Sequence, residues 1–399
     1  MSLHRRTQWG LVILLAALVM VSPFSVDTFY PSFPEIAAEF ALDDWQMQQT
    51  ITVYMLPFAV MTLVQGPLSD ALGRRPVVLG GLSLYAGASV ACAFAPNYPL
   101  LLAFRALQGM SAGVGTAVGR AIVRDLHDGP QAQRLMNAIT MVFALAPAIA
   151  PVIGGWIHVL FGWRSVFGFM VLVGVALLAA SYARLPETHP PERRVPLNPP
   201  DLASTLAKIA SNRQFMLLAL SSGANLATIF AYVGAAPAIV LRHWQLEPTQ
   251  FAWLFVPVIT GIVGGAWISS RIAGRMAQHR QVGAGFAVTL AATGLSVMLH
   301  GLFASVPIVI QQVLIVAAAG GIQLVIPVQA LRMLDLFRTA RGSAASVQSC
   351  VMLGIGAFWI GVVVPALNDS LMLISTGALL ATALALAIWL LAIRRVRSR

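Results

Sequence analysis

Long apolar runs recur along the whole chain, each close to the ~20 residues a helix needs to cross bilayer hydrocarbon. We place them at 9–30, 47–69, 76–95, 99–119, 136–160, 165–183, 214–236, 250–270, 281–303, 306–331, 343–365 and 370–392. They are apolar nearly all round the helix, as buried or lipid-facing segments are. Membrane strands are about half as long and alternate in polarity, so strands do not fit. Only 10% of the residues are charged, against roughly 25% in soluble domains. Lipid must therefore solvate most of the chain. The expected fold class is all-α integral membrane, with twelve transmembrane helices.

The basic residues sort onto one side of this frame. Of 25 Lys and Arg, all but Arg105, Arg164 and Arg242 fall in loops on the side of the N-terminus. The positive-inside rule then puts both termini in the cytoplasm. The net charge of +11 follows from that bias. Its scattered clusters lack the basic stripe with interleaved aromatics that nucleic-acid binding needs. The longest loop, 184–213, is rich in proline and charge and reads as a linker. It divides the chain into six-helix bundles at 1–183 and 214–399. The halves echo each other: GPLSDALGRR at 66–75 and AWISSRIAGRM at 266–276 align Gly73-Arg74 with Gly274-Arg275. Such repeats are a transporter architecture. The first run is too long for a signal peptide and is expected to be a span. Cys92 and Cys350 lie in apolar runs as packing residues. The dispersed histidines suggest no metal site.

Several function classes are excluded or weakened. A phosphate-binding loop needs a lysine after its glycines, and Lys208, the only lysine, stands in an unsuitable context. No selectivity filter or charged ring marks a channel. A polytopic membrane enzyme would need a catalytic cluster. Asp125, His127 and Asp128 are the nearest, and RDLHD reads as a solvated loop.

Two charges stand out because they lie within spans. Asp27 closes the first, in SVDTFYPSFP (25–34). Arg105 lies about six residues from the outer end of the fourth, ~9 Å deep at 1.5 Å per residue. Buried charges of opposite sign at matched depth point to a pair or a shared cavity. The other reading is that both snorkel to the outer interface. In the loop at 66–76, Gly66 and Gly73 permit a tight reversal. Asp70 there can pair with Arg74 or Arg75, or accept from backbone donors at a helix start. The fifth span carries Pro147 and Pro151, each removing a helix hydrogen bond, so a bend is expected. Gly154 and Gly155 follow. Ala146, Ala150 and Gly154 form a small-residue face that admits a neighbouring backbone. Tyr30, Tyr54, Phe58, Asn225, Tyr232 and Gln323 are candidate cavity residues, with plain helix packing the other reading of each.

Four segments together, GPLSDALGRRP (66–76), RALQG (105–109), APAIAPVIGG (146–155) and DTFYPSFP (27–34), resemble the major facilitator superfamily. AAPAIVL (235–241) and ARGSAASV (340–347) support this less sharply. The last of the four is similar to the Bcr/CflA-type drug:proton antiporters. The resemblance implies alternating access between two bundles, with the 66–76 loop latching them on the cytoplasmic face. It implies export of drugs or other small amphipathic molecules. The two intramembrane charges add the expectation that Asp27 and Arg105 couple that export to protons. No cofactor beyond the proton gradient is expected. The expected partners are the substrate, protons and the lipid bilayer. The working unit would be a monomer, multi-pass in a bacterial inner membrane. Export or import of one metabolite on the same fold, and less so a membrane enzyme, are the alternatives.

Overall fold

Helices occupy every long apolar run in the computed structural model, which describes residues 3–127 and 129–394. Asp128, Arg395, Arg397 and Arg399 lie outside the described residues, as do the side chains of Arg5, Arg6, Arg134 and Arg394. The chain divides into two compact units, one of residues 1–42 and 49–202, the other of 43–48 and 203–399.

The first unit is built from α1 (Leu3–Asp27), α2 (Phe33–Phe40), α3 (Asp44–Leu72), α4 (Arg74–Ala93), α5 (Tyr98–Ala112), α6 (Val114–Leu126), α7 (Gly129–Phe161) and α8 (Trp163–Arg184), with the start of α3 assigned to the second unit. Helix α1 packs against α6, α7 and α8, and α4 against α5 and α8. Local chemistry sets the ends. Asn97 caps α5 by accepting from the Leu100 amide at 3.1 Å, satisfying a donor the first turn leaves orphaned. Glu35, on α2, accepts from the Trp163 amide at 3.0 Å and so caps α8. Glu39 grips Arg164 through both carboxylate oxygens. Together they dock α2 onto the α7–α8 turn.

Among the described residues, eleven helices are long and apolar enough to cross a membrane. The expected span at 99–119 is missing from that set because it is broken at Gly113 into α5 and α6. The cause comes from α3. Gln65 donates Nε2 to the Met110 carbonyl at 3.1 Å, the acceptor that an unbroken helix would offer to residue 114. A side chain inserted into the ladder in this way is a recognised cause of helix breaks. The ladder restarts when Thr116 and Ala117 both donate to the Gly113 carbonyl.

The second unit contains α9 (Pro199–Ala210, begun in the first unit), α10 (Arg213–Gly234), α11 (Ala252–Ile272), α12 (Gln278–Leu302), α13 (Ile308–Leu336), α14 (Arg341–Phe358) and α15 (Leu371–Arg394). Helix α9 lies inside the loop read as a linker. Helix α10 packs on α13, α14 and α15, while α13 also receives α11 and α12. Between α11 and α13, Gly265 meets the backbone of Gly320 directly. Close backbone approach substitutes for side-chain burial where lipid supplies no hydrophobic drive. Two wide π-type turns, at Ala238–His243 and Trp359–Val363, follow α10 and α14.

Candidate functional site

Arg105 stands at the centre of the first unit with no exposed surface. Its fork is spent on neutral groups. Nη1 donates to the Ser25 carbonyl of α1 at 3.1 Å and to Gln108 Oε1 at 2.6 Å, and Nε donates to the Thr50 carbonyl of α3 at 3.3 Å. The guanidinium also lies over Tyr54 at 4.5 Å, Phe29 at 4.9 Å and Phe167 at 5.9 Å from the ring centroids. A weakly hydrated planar cation suits both contacts in a way an ammonium does not. Nη2 has no hydrogen-bond partner in the protein. These neighbours are themselves held in place: Gln108 donates to Ser89 at 2.7 Å, Ser25 Oγ meets Tyr85 Oη at 2.6 Å, and Tyr54 donates to the Ser22 carbonyl at 3.2 Å.

Asp27 ends α1 two residues beyond Ser25 and is 5% exposed. Tyr30 and Tyr54 lie in the electrostatic field of both Asp27 and Arg105. Of the two expected arrangements, a pair or a shared cavity, the direct pair is not formed here: among the described residues Asp27 forms no salt bridge. Arg105 instead reaches α1 at the Ser25 carbonyl, where the backbone supplies an acceptor without a second charge to desolvate. Removing two charges from water costs more than their attraction returns unless the geometry is excellent.

A second polar centre surrounds the 66–76 loop. Arg74 bridges two acids, Asp70 at 2.5 Å and Asp125 at 3.0 Å, and donates to Ser69 at 2.6 Å. Asp125 belongs to the RDLHD stretch read as a solvated loop. The structure corrects that, because Asp125 also accepts from Thr188 at 2.9 Å. Glu187 Oε1 accepts from the Arg74 amide at 3.0 Å and Oε2 from the Arg75 amide at 3.3 Å, capping α4. Arg75 turns elsewhere, onto the Tyr182 carbonyl at 2.8 Å and over the Tyr182 ring. Gly73 has φ +100°, and a Cβ there would lie 2.5 Å from Glu187. Gly274, its partner in the sequence echo, has φ +75°. Gly66 lies within α3, with open space around it. Glu187 and Thr188 escaped the sequence reading, and Asp125 was named there without this role, because their partners are 51 to 113 residues away.

Helix α7 runs on through Pro147 and Pro151. Ala146 and Ala150 are fully buried and Gly155 is buried. Gly154 lies against the backbone of Thr28, so closely that a Cβ would overlap its carbonyl. Of the candidate cavity residues, Tyr30 and Tyr54 join the Arg105 cluster, with Phe58 beside Tyr54 at 6.4 Å. Asn225 is buried between α10 and α13, its amide 3.5 Å from the Ile322 carbonyl. Tyr232 lines a small cavity in the second unit. Gln323, on α13, is half-buried.

Residues 15–361 match the sequence model of the Major Facilitator Superfamily. The chain belongs to the major facilitator superfamily. Among curated members, it is 33% identical to the uncharacterized MFS-type transporter YdgK of Bacillus subtilis over 66% of each chain. It is 29% identical to a bicyclomycin resistance protein homolog of Haemophilus influenzae over 67% of each. It is 30% identical to the multidrug resistance protein MdtL of Escherichia coli over 59% of each. The matches thus span about three fifths to two thirds of those relatives' lengths. They support the resemblance to Bcr/CflA-type exporters. A bacterial homolog of the human lysosomal transporter Spinster superposes with a TM-score of 0.71 at 16% identity, covering 98% of this chain and 97% of that one. At that identity the likeness shows the fold alone. This major facilitator protein is a multi-pass membrane transporter and not an enzyme.

Proposed function

We propose that the chain exports drugs or other small amphipathic molecules across a bacterial inner membrane in exchange for protons. One observation carries the reading. Among the described residues Asp27 is the one buried carboxylate, and it ends α1 without a salt bridge, two residues beyond the carbonyl that Arg105 holds. An intramembrane acid is costly and marks a proton relay or substrate path by default. Burial and a nearby cation act oppositely on a carboxylate's proton affinity. Alternating access that changes either would load a proton from one side and release it to the other. Relatives named for bicyclomycin and multidrug resistance support the substrate class.

In this reading α5 and α6 count as one broken span, giving twelve crossings with both termini cytoplasmic. Residues 1–183 and 214–399 are the two halves and 184–213 the connection. The 66–76 loop is a cytoplasmic gate and the small-residue face of α7 a rocking surface. The working unit is a monomer driven by the proton gradient alone. The test is drug accumulation in a pump-deficient host, with and without an uncoupler. Resistance that the uncoupler abolishes supports antiport. Export confined to one sugar, nucleoside or amino acid would assign the chain to metabolite transport instead.

A further inference from the structure

The second unit carries a polar centre of its own, built on different chemistry. His300 lies in the last turn of α12, and the ring is oriented by its own helix. Nδ1 lies 2.8 Å from the Ser296 carbonyl one turn back. A carbonyl oxygen only accepts, so Nδ1 carries the proton and donates. The neutral ring then has its lone pair on Nε2. That nitrogen is buried and has no partner in the protein.

His300 lines a cavity shared with Tyr232, Trp244, Ser296, Gln311 and Ser375. Its volume is about 10 Å³, near the lower bound for one water molecule and far below what an organic ligand needs. The walls are hydrogen-bonded among themselves. Ser296 and Ser375 hydroxyls meet at 2.8 Å, with Tyr232 bonded to that pair. Trp244 Nε1 donates to Gln311 at 2.9 Å, and Gln311 donates onward to the Val306 carbonyl at 2.7 Å. Polar walls with hydroxyls that rotate give a water the two to four partners it requires.

The geometry points to a proton-accepting water site in the second unit, with His300 Nε2 as the base and the cavity water as its hydrogen-bond partner. The proton comes from solvent and joins the Nε2 lone pair, leaving an imidazolium that donates at both nitrogens, to the Ser296 carbonyl and to the water. No other bond changes. The charged and titratable surroundings are sparse. Of the cavity walls, α10 offers Tyr232, while α13 and α15 offer no ionisable group. The segment carrying Trp244 also carries His243, which is occupied by the Asn368 carbonyl at 2.8 Å. The site is independent of Asp27 and of the proposed direction of transport.

Trp244 provides the reading, because an imidazolium beside an indole quenches its fluorescence more than a neutral imidazole does. The full-length protein in detergent is titrated from about pH 8 to about pH 5, the range over which histidine changes charge. The signal of Trp244 is taken as the difference from a Trp244→Phe variant. A single reversible quenching step is expected, abolished in His300→Gln and retained in Asp27→Asn. Nitrogen-15 histidine spectra are expected to show the Nδ1-protonated neutral tautomer at the upper end. The opposite tautomer, a step that survives His300→Gln, or a flat Trp244 signal in folded protein would each overturn the assignment. Circular dichroism on every variant shows that the fold is retained.

Discussion

Glu187 caps Arg74 from 113 residues away, its Oε1 accepting the Arg74 amide at 3.0 Å and its Oε2 the Arg75 amide at 3.3 Å. The acid belongs to the segment that follows α8, and that segment continues along the same surface. Arg194 comes back to within 3.9 Å of Glu187, and the Val195 amide donates to the Asp70 carbonyl at 3.3 Å. A negative charge on the first amides of a helix is favourable both as a cap and against the helix dipole.

Glu187→Ala is therefore expected to lower stability by about 1–2 kcal/mol, the usual cost of losing such a cap. It should also free the segment it anchors. Tryptic cleavage after Arg193 and Arg194 is the measurement, and the rate is expected to rise several-fold. Glu187→Gln, which keeps one acceptor oxygen and loses the other together with the charge, should fall between the two.

Asp27→Asn removes the one carboxylate that is buried among the described residues while keeping its shape. Proton-driven drug efflux into inverted vesicles is expected to vanish, while binding of a fluorescent substrate in detergent persists. Full efflux with undiminished sensitivity to the pH gradient would remove Asp27 from the coupling scheme.

Arg105→Lys keeps the charge and loses the fork. One ammonium cannot serve the Ser25 and Thr50 carbonyls and three rings together. Leaving those buried acceptors short is expected to cost about 1–3 kcal/mol, read as a lower unfolding temperature in detergent. Transport should fall at least tenfold in vesicles containing equal protein. Gln108→Leu is expected to give a weaker form of the same defect, because it removes one acceptor from Arg105 and the bond to Ser89.

Gly154→Ala places a methyl group where the Thr28 carbonyl lies. Overpacking of this kind costs about 1–3 kcal/mol. The expected outcome is reduced yield of folded protein and loss of transport. Gly168→Ala, on α8 with nothing within 4 Å of the new atom, serves as the neutral control. Equal behaviour of the two variants would mean that α7 and the turn at Thr28, just after α1, do not need their close approach.

Some of this molecule could be read residue by residue. Transfer into lipid is a local cost that adds up along a segment, so eleven of the twelve apolar runs emerge as helices able to cross a membrane. Gly73 was legible for a similar reason, since only a glycine tolerates the φ of +100° that its turn adopts. The partners were not legible. Arg105 chose the carbonyls of Ser25 and Thr50 over the carboxylate of Asp27, and every residue carries a carbonyl, so nothing in the residue types announces which will be used. The twelfth run broke at Gly113 because a glutamine on another helix reached Met110. Glu187 and Asp125 joined the loop at 66–76 because folding closed gaps of 113 and 51 residues. Hydrophobicity is a property of a segment, whereas a hydrogen bond is a property of a distance, and distances between helices exist only once the helices have packed.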